Sequence, residues 1–313
     1  MTETAIIPAR PDYQELSLTF LVLSFTKPLK TGPPMTDPTV FEQTPWKTLD
    51  PAVLEQAKKV PTMLAPEEQQ FYAWATSEWM QGDGAVVDLG CFAGGSTARL
   101  AAGHQRAGHP GLIHAYDRFH ASELTKNQIL YAQGIAPFDG EEILDLTIDL
   151  LTPWTERIAL YPGNIEDQVW EDGAIEVLAM DASKTIPTMD QMAHMFFPSL
   201  IPRRSLVIQQ DYLFWRLPWI PIQMELLADY FTPVACVQKH TVVFLNTEKL
   251  DADALETLRV SALAPEDRIT TLIRARERLE EAGFPVSKRM TRQIAVLQKH
   301  PNASRATHFP SPQ

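Results

Sequence analysis

The chain has 313 residues, of which 45% are hydrophobic, and its formal net charge at pH 7 is −12. This length and apolar content allow one large domain or two small ones with a sizeable core. An acidic chain without a long basic run is a poor binder of nucleic acid, so we expect no nucleic-acid partner.

The first fifty residues are interrupted by seven prolines, which break long elements. The sequence therefore predicts an irregular N-terminal arm over residues 1–50. Within it, the apolar run 18–25 is too short to span a bilayer and lacks the flanks of a signal peptide. The two cysteines, Cys91 and Cys236, lie in apolar, strand-like contexts that suit reduced thiols. We expect a cytoplasmic protein with no membrane partner.

Helical patterns cover residues 50–81, and short apolar strands then alternate with helical segments. The predicted strands are 85–88, 112–116, 158–161, 175–180 and 205–209, with helices at 97–107, 120–133, 141–151, 165–170 and 188–198. This alternation favours a parallel sheet covered by helices on both faces. Ligands of such α/β sheets bind at the carboxyl ends of the strands.

The end of the sheet differs from its start. Predicted strands 234–238 and 241–245 are separated by two residues only, and such a short connection joins antiparallel strands. We predict one domain over 51–250, a helical extension over 251–300 and a disordered tail over 301–313. The arm and the C-terminal helices suggest a homodimer.

A glycine-rich turn follows the first strand, in the run VVDLGCFAGGST that begins at Val86. Gly90, Gly94 and Gly95 lack a Cβ, so the turn can approach a ligand closely, and Ser96 can cap the next helix. Asp88 ends the strand where a phosphate binder would favour a neutral or basic group. The turn therefore suits a ligand with a cationic part.

A second acid, Asp117, follows the next strand. A carboxylate at about this distance after a glycine turn can accept hydrogen bonds from both hydroxyls of a ribose. A third loop, with Asn164 and Ile165, follows the strand after that.

The run from Val86 to Gly95 resembles motif I of the class I S-adenosylmethionine (SAM) methyltransferases. The resemblance implies a Rossmann-like α/β fold, a mostly parallel sheet ending in an antiparallel hairpin, and SAM as cofactor. It implies that the loop after the third strand touches the adenine. The expected cofactor-binding residues are Asp88, Gly90, Phe92, Gly94, Gly95, Ser96, Asp117, Arg118, Asn164, Ile165 and Asp181.

Polar residues also end the fourth and fifth strands, which should be neighbours. Asp181, Gln210 and Asp211 would meet at one edge, and oxygen ligands of this kind suit Mg²⁺. We expect these three residues to be the metal ligands.

The spacing Asp181-x-x-Lys184 resembles that of catechol O-methyltransferase-type enzymes. This resemblance implies that the acid binds the metal and that the lysine takes the hydroxyl proton. A desolvated lysine beside a cation has a lowered pKa, which would suit this role. His240, in the terminal hairpin, is the reserve base.

Residues 60–245 also resemble the macrocin-type sugar O-methyltransferases of natural-product biosynthesis. Ser183 and Gln210 stand where that family has acids.

Three functions follow from these patterns. The first is metal-assisted O-methylation of a small hydroxylated acceptor. The second is metal-free methyl transfer, with Lys184 or His240 as base or with a nitrogen acceptor that needs none. The third is a non-catalytic scaffold with a SAM-binding fold.

Overall fold

The computed structural model describes residues 37–238 and 240–309. The predicted arm falls largely outside this range, including the whole apolar run 18–25. Seven strands form one sheet, and their bounds lie within three residues of the predicted ones. They are β1 Ala85–Leu89, β2 Ile113–Asp117, β3 Ile158–Pro162, β4 Ile175–Met180, β5 Leu206–Gln209, β6 Phe231–Val237 and β7 Thr241–Asn246.

The strand order is β3-β2-β1-β4-β5-β7-β6. Strands β1 to β5 run parallel, whereas β7 is antiparallel to both of its neighbours. This confirms the predicted α/β, Rossmann-like class: a mostly parallel sheet that ends in an antiparallel hairpin. The order reverses at β1, so the carboxyl ends of β1 and β4 open a crevice where such sheets bind ligands.

Nine α-helices surround the sheet in the described part of the chain. They are α1 Pro66–Trp74, α2 Gly95–Ala107, α3 Glu123–Thr125, α4 Leu144–Leu151, α5 Ile186–Phe196, α6 Trp219–Leu226, α7 Ala252–Thr257, α8 Pro265–Glu281 and α9 Ser287–Lys299. The predicted helix after residue 50 is instead a pair of short 3₁₀ turns, Pro51–Leu54 and Ala57–Lys59. The predicted helix 165–170 is only the turn Ile165–Asp167.

Two hydrophobic layers cover the two faces of the sheet, and β4 contributes to both. Leu178 and Met180 pack into the layer that contains α5, α6, α8 and α9. Val177 and Ala179 point into the layer beside α1 and α2. This alternation is the period-2 geometry of a strand that is buried on both faces.

Three further expectations can be compared with the structure. Residues 37–50 form 3₁₀ turns, and Phe41 and Trp46 on them are buried. The tail was expected to be disordered from residue 301, but residues 301–309 pack on the domain and Phe309 is buried. Both cysteines are free thiols.

Among the described helices, none combines the length and apolarity needed to cross a bilayer.

A buried histidine on α2 predicts how stability depends on pH. Burial, with smaller contributions from His109 and Arg157, lowers the pKa of His104 to about 4 from an ordinary 6.5. The unfolded chain therefore binds a proton at His104 below pH 6.5, whereas the folded chain does so only near pH 4. The contribution of His104 to the free energy of unfolding should therefore fall by up to about 3 kcal/mol as the pH drops through this window, while Asp88 and Asp181, whose pKa values are raised, contribute in the opposite direction.

The test is urea unfolding at several pH values between 4 and 7. We expect the free energy of unfolding of His104→Gln to rise relative to that of wild type as the pH drops, whereas the control His194→Gln, at an exposed position on α5, should keep a constant difference from wild type. Equal slopes in wild type and His104→Gln would show that this histidine is not the titrating group.

Candidate active site

A cavity of about 850 Å³ opens at the carboxyl ends of the strands. It brings together most of the residues that the sequence singled out. They are Gly90, Phe92, Asp117, Arg118, Asn164, Ile165, Asp181, Lys184, Gln210, Asp211 and His240. The residues from the first three strands lie in one group, and those from β4, β5 and the hairpin lie in another. We call these the cofactor half and the acceptor half.

Four residues expected to bind the cofactor, Asp88, Gly94, Gly95 and Ser96, do not line the cavity. Asp88 is buried beneath the turn, where it accepts hydrogen bonds from Ser96 Oγ at 2.8 Å and Thr97 Oγ1 at 2.7 Å. Burial raises the pKa of this carboxyl to about 6. In this structure Asp88 therefore anchors the first turn of α2 instead of facing a ligand.

The glycines of the turn make room mainly for the protein itself. A Cβ on Gly94 would lie 2.8 Å from the Leu151 side chain, and one on Gly95 would lie 2.5 Å from the Pro61 carbonyl oxygen. Gly90 has a φ of 92°, and a Cβ there would lie 3.0 Å from the backbone of Asp181. The close approach at Gly90 brings the turn against the loop after β4, which joins the two halves of the cavity.

Two backbone N–H groups orient the Asp117 carboxylate, which can accept further hydrogen bonds. Its Oδ2 accepts from the backbone N–H of Phe92 at 2.9 Å, and its Oδ1 accepts from that of Phe119 at 2.7 Å. Burial raises its pKa, and the two N–H groups oppose that rise. Each carboxylate oxygen has a second lone pair, so Asp117 can still take two hydroxyls. A ribose diol presents two such donors.

The loop after β3 forms the wall beside Asp117. Ile165 is buried and offers an apolar surface, while Asn164 is exposed and its side chain donates to Asp167 Oδ2 at 3.1 Å. An apolar side chain beside an amide suits a flat heterocycle with polar edges.

Lys184 lies between two carboxylates in the acceptor half. Its Nζ donates to Asp181 Oδ1 at 2.6 Å and to Asp211 Oδ2 at 2.9 Å. Burial raises the pKa of Asp181 to about 7, although the charge of Lys184 opposes the rise. Burial lowers the pKa of Lys184, but the two carboxylates outweigh it and the net shift is upward. This is opposite to the lowered pKa that we expected for a lysine base.

Asp211 has a φ of 60°, in the left-handed region that non-glycine residues seldom adopt. Such strain persists only where the surrounding structure holds it, and it concentrates at functional sites. Here the strained backbone directs the carboxylate toward Lys184.

Gln210 is engaged away from these two acids. Its Oε1 lies 2.7 Å from Thr241 Oγ1 and 3.4 Å from the Tyr72 hydroxyl, and its Nε2 donates to Glu68 Oε1 at 3.3 Å. Gln210 thus belongs to a buried polar network between α1 and the terminal hairpin.

The predicted Mg²⁺ ligands do not fit a metal in this arrangement. An ammonium group bridges the two carboxylates, and the amide of Gln210 is occupied by the network with Glu68. Within residues 37–238 and 240–309, no cluster of three or more His, Cys, Asp or Glu side chains could hold a metal ion. The positive charge beside Asp181 and Asp211 comes from Lys184.

His240 lines the same cavity, and its ring lies 5.6 Å from that of Phe214 in an edge-on contact. Its carbonyl accepts from the N–H of Leu213, which connects the hairpin to the loop after β5. The reserve base predicted from the sequence is therefore placed in the acceptor half.

Sequence reasoning missed several residues that line the cavity: Met63, Glu68, His120, Glu166 and Thr188. Glu68 follows Ala65 by three residues at the start of α1 and accepts from the Ala65 N–H at 2.7 Å. That spacing indicates a helix cap. It gives no sign that Glu68 also accepts a hydrogen bond from Thr241 Oγ1, at 2.7 Å.

Comparisons with known proteins assign no family to this chain. No protein-family model matches the chain, and no curated protein sequence matches it. Similar solved structures include a protein from Klebsiella pneumoniae assigned as an O-methyltransferase, at 16% identity and a TM-score of 0.44, over 67% of this chain and 97% of that one. Another is the S-adenosylhomocysteine-bound methyltransferase PaMTH1 of Podospora anserina, at 13% identity and a TM-score of 0.42, over 68% of this chain and 88% of that one. Both TM-scores lie below 0.5, so these likenesses assign no activity to this chain.

Proposed function

We propose that this protein is a SAM-dependent methyltransferase that acts on a hydroxyl group of a small molecule, without a divalent metal. The proposal rests on the observation that the cofactor half and the acceptor half line one cavity. A carboxylate with two free lone pairs stands on one side, and an ammonium held between two carboxylates stands on the other.

The cofactor half suits the nucleoside part of SAM. Asp117 would accept the ribose hydroxyls, and charge-assisted hydrogen bonds of this kind are strong. Ile165 offers an apolar face for the adenine, and Gly90 also lines the cavity. The cavity volume lies toward the upper end of the range for small-molecule pockets, so it has room for a cofactor and a small acceptor together.

The acceptor half suits a nucleophilic oxygen. Bound SAM supplies an electrophilic methyl group on a sulfonium. Lys184 stays charged, so it would donate a hydrogen bond to the acceptor oxygen and stabilise the negative charge that develops on it. His240 lines the same half of the cavity and would take the hydroxyl proton, since an imidazole nitrogen can act as a general base. Asp181 and Asp211 hold Lys184 in place.

The proposal is tested by calorimetry with S-adenosylhomocysteine, followed by a methyl-transfer assay on a panel of small hydroxylated compounds. Both are done on protein treated with EDTA and on protein supplied with Mg²⁺. We expect micromolar binding and equal transfer rates in the two preparations. Absence of binding at millimolar ligand would overturn the methyltransferase proposal. Transfer that stops with EDTA and returns with Mg²⁺ would overturn only its metal-free form.

A further inference from the structure

We propose that the segment Ala303–Phe309, which follows the last helix, positions Lys184 for catalysis. This inference rests on the proposed function. It assigns a role to a part of the chain that lies far from the glycine turn in sequence and contributes no side chain to the cavity.

The segment pairs with the loop that carries Lys184 as a short antiparallel bridge. Thr185 is opposite Arg305 in this bridge. The Ile186 N–H donates to the Ser304 carbonyl at 2.9 Å, and the Ala306 N–H donates to the Lys184 carbonyl at 3.2 Å. The backbone on both sides of Thr185 is therefore hydrogen-bonded to the C-terminal segment.

An aromatic anchor holds the segment against the domain. Phe309 is 3% exposed, and its ring stacks on Trp219 with the centroids 6.2 Å apart. Trp219 in turn donates from Nε1 to the Ser183 carbonyl at 2.8 Å. The same aromatic pair thus fixes the segment and the residue that precedes Lys184.

The last helix, α9, holds the loop that follows Asp211 in a similar way. Gln293 of α9 is fully buried, and its side-chain amide donates to the carbonyls of Tyr212 and Phe214 at 2.9 and 3.0 Å. These residues directly follow Asp211. The C-terminal part of the chain therefore holds the two loops that place Lys184 against Asp211.

A loop at the surface ordinarily samples several conformations, and a lysine side chain has many rotamers. Lys184 is half-exposed, and the two carboxylates can hold its ammonium only while the backbone of the loop keeps it between them. Fixing the backbone at Ser183, Lys184 and Ile186 restricts where its ammonium can lie. Displacement of a catalytic group by about 1 Å can cost roughly 100-fold in rate, so this restraint has a measurable consequence.

One substitution can break the hydrogen bond between this segment and the Lys184 carbonyl. Ala306 is the first residue of the 3₁₀ turn Ala306–His308, and Arg305 before it is extended, with φ −149° and ψ 153°. Proline is tolerated at the first position of a helical turn, and it favours an extended residue before it. Ala306→Pro therefore suits the conformation of its own segment, but it deletes the N–H that donates to Lys184 and places the ring Cδ against the Lys184 carbonyl, which separates the segment from the loop at this point.

The chain offers a matched control. Ala252 is the first residue of α7, it is exposed, and the Asp251 before it is also extended. Ala252→Pro makes the same chemical change at the first position of a helix, outside the segment Ala303–Phe309. We expect it to behave as wild type.

The experiment compares wild type, Ala306→Pro and Ala252→Pro by three measurements. These are kcat for methyl transfer, the Kd for S-adenosylhomocysteine, and hydrogen exchange of a peptide that covers residues 181–190. For Ala306→Pro we expect kcat to fall about 10- to 100-fold, Kd to stay within about twofold of wild type, and exchange in the loop to increase. A wild-type kcat would overturn the proposal, as would an equal loss of kcat and cofactor affinity.

Hydrogen exchange separates this proposal from the proposed function, because it needs no substrate. If the wild type does not bind S-adenosylhomocysteine, the proposed function fails. Faster exchange confined to the Lys184 loop in Ala306→Pro would then still show that the segment holds this loop, whereas unchanged exchange would overturn that role as well.

Discussion

Replacing Asp117 by Asn should weaken binding of S-adenosylhomocysteine about 100-fold. The carboxylate can accept two hydroxyls besides the two backbone N–H groups that orient it. An amide has only one oxygen, and its NH₂ group would face either the Phe92 or the Phe119 N–H, so donor would meet donor. Loss of charge-assisted hydrogen bonds worth about 1.5–3 kcal/mol each accounts for an effect of this size.

Calorimetry with S-adenosylhomocysteine measures the effect directly, and thermal unfolding checks that the variant is folded. Asp145→Asn is the matched control, because Asp145 is exposed at the start of α4 and does not line the cavity. An Asp117→Asn protein that binds as tightly as the control would show that this carboxylate does not hold the ribose. In that case the cofactor half would need another assignment.

The sequence predicted the sheet well because its strands carry unambiguous signals. Each parallel strand is an apolar run bounded by turn residues, and the two-residue connection to the last strand requires an antiparallel pair. The segment after residue 50 was less clear. Pro51 at a first turn is compatible with an α-helix or a 3₁₀ turn, and the structure has the 3₁₀ turn.

The sequence was a weaker guide to what the turn residues contact. An acid at a strand end can face a ligand or the next helix, and the hydroxyls of Ser96 and Thr97 direct Asp88 to the helix. The space beside Gly94 and Gly95 is filled by Leu151 and Pro61, which come from distant parts of the chain. Local sequence contains no information about such long-range neighbours.

The same limit applies to Lys184. Its pKa depends on two opposing effects, desolvation and the two carboxylates, and their balance is decided by distances of a few ångströms. The residue spacing showed that Asp181 and Lys184 were near each other, but it did not show that Asp211 completes a bridge. The segment 303–309 was missed because its contacts with the Lys184 loop are backbone hydrogen bonds, which any residue except proline could make as donor.

Replacing Lys184 by Met should lower kcat by roughly 10²- to 10⁴-fold and leave cofactor binding close to wild type. The methylene stem keeps its packing, but the charged donor to the acceptor oxygen is lost, and effects of this size are usual for such groups. Asp181 and Asp211 would then lack the ammonium that separates them, so their mutual repulsion should raise the pKa of Asp181 further. Lys58→Met, at an exposed turn outside the cavity, is the control.

The pH dependence of the wild type distinguishes the two roles that Lys184 could have. The two carboxylates raise its pKa above the ordinary 10.5, so it stays charged up to that pH and beyond. As a hydrogen-bond donor it should give a kcat that stays flat between about pH 8 and 10. A base lysine would instead give a rate that climbs tenfold per pH unit through the alkaline range. If the rate climbs in this way in the wild type but not in Lys184→Met, Lys184 is the general base and His240 is not.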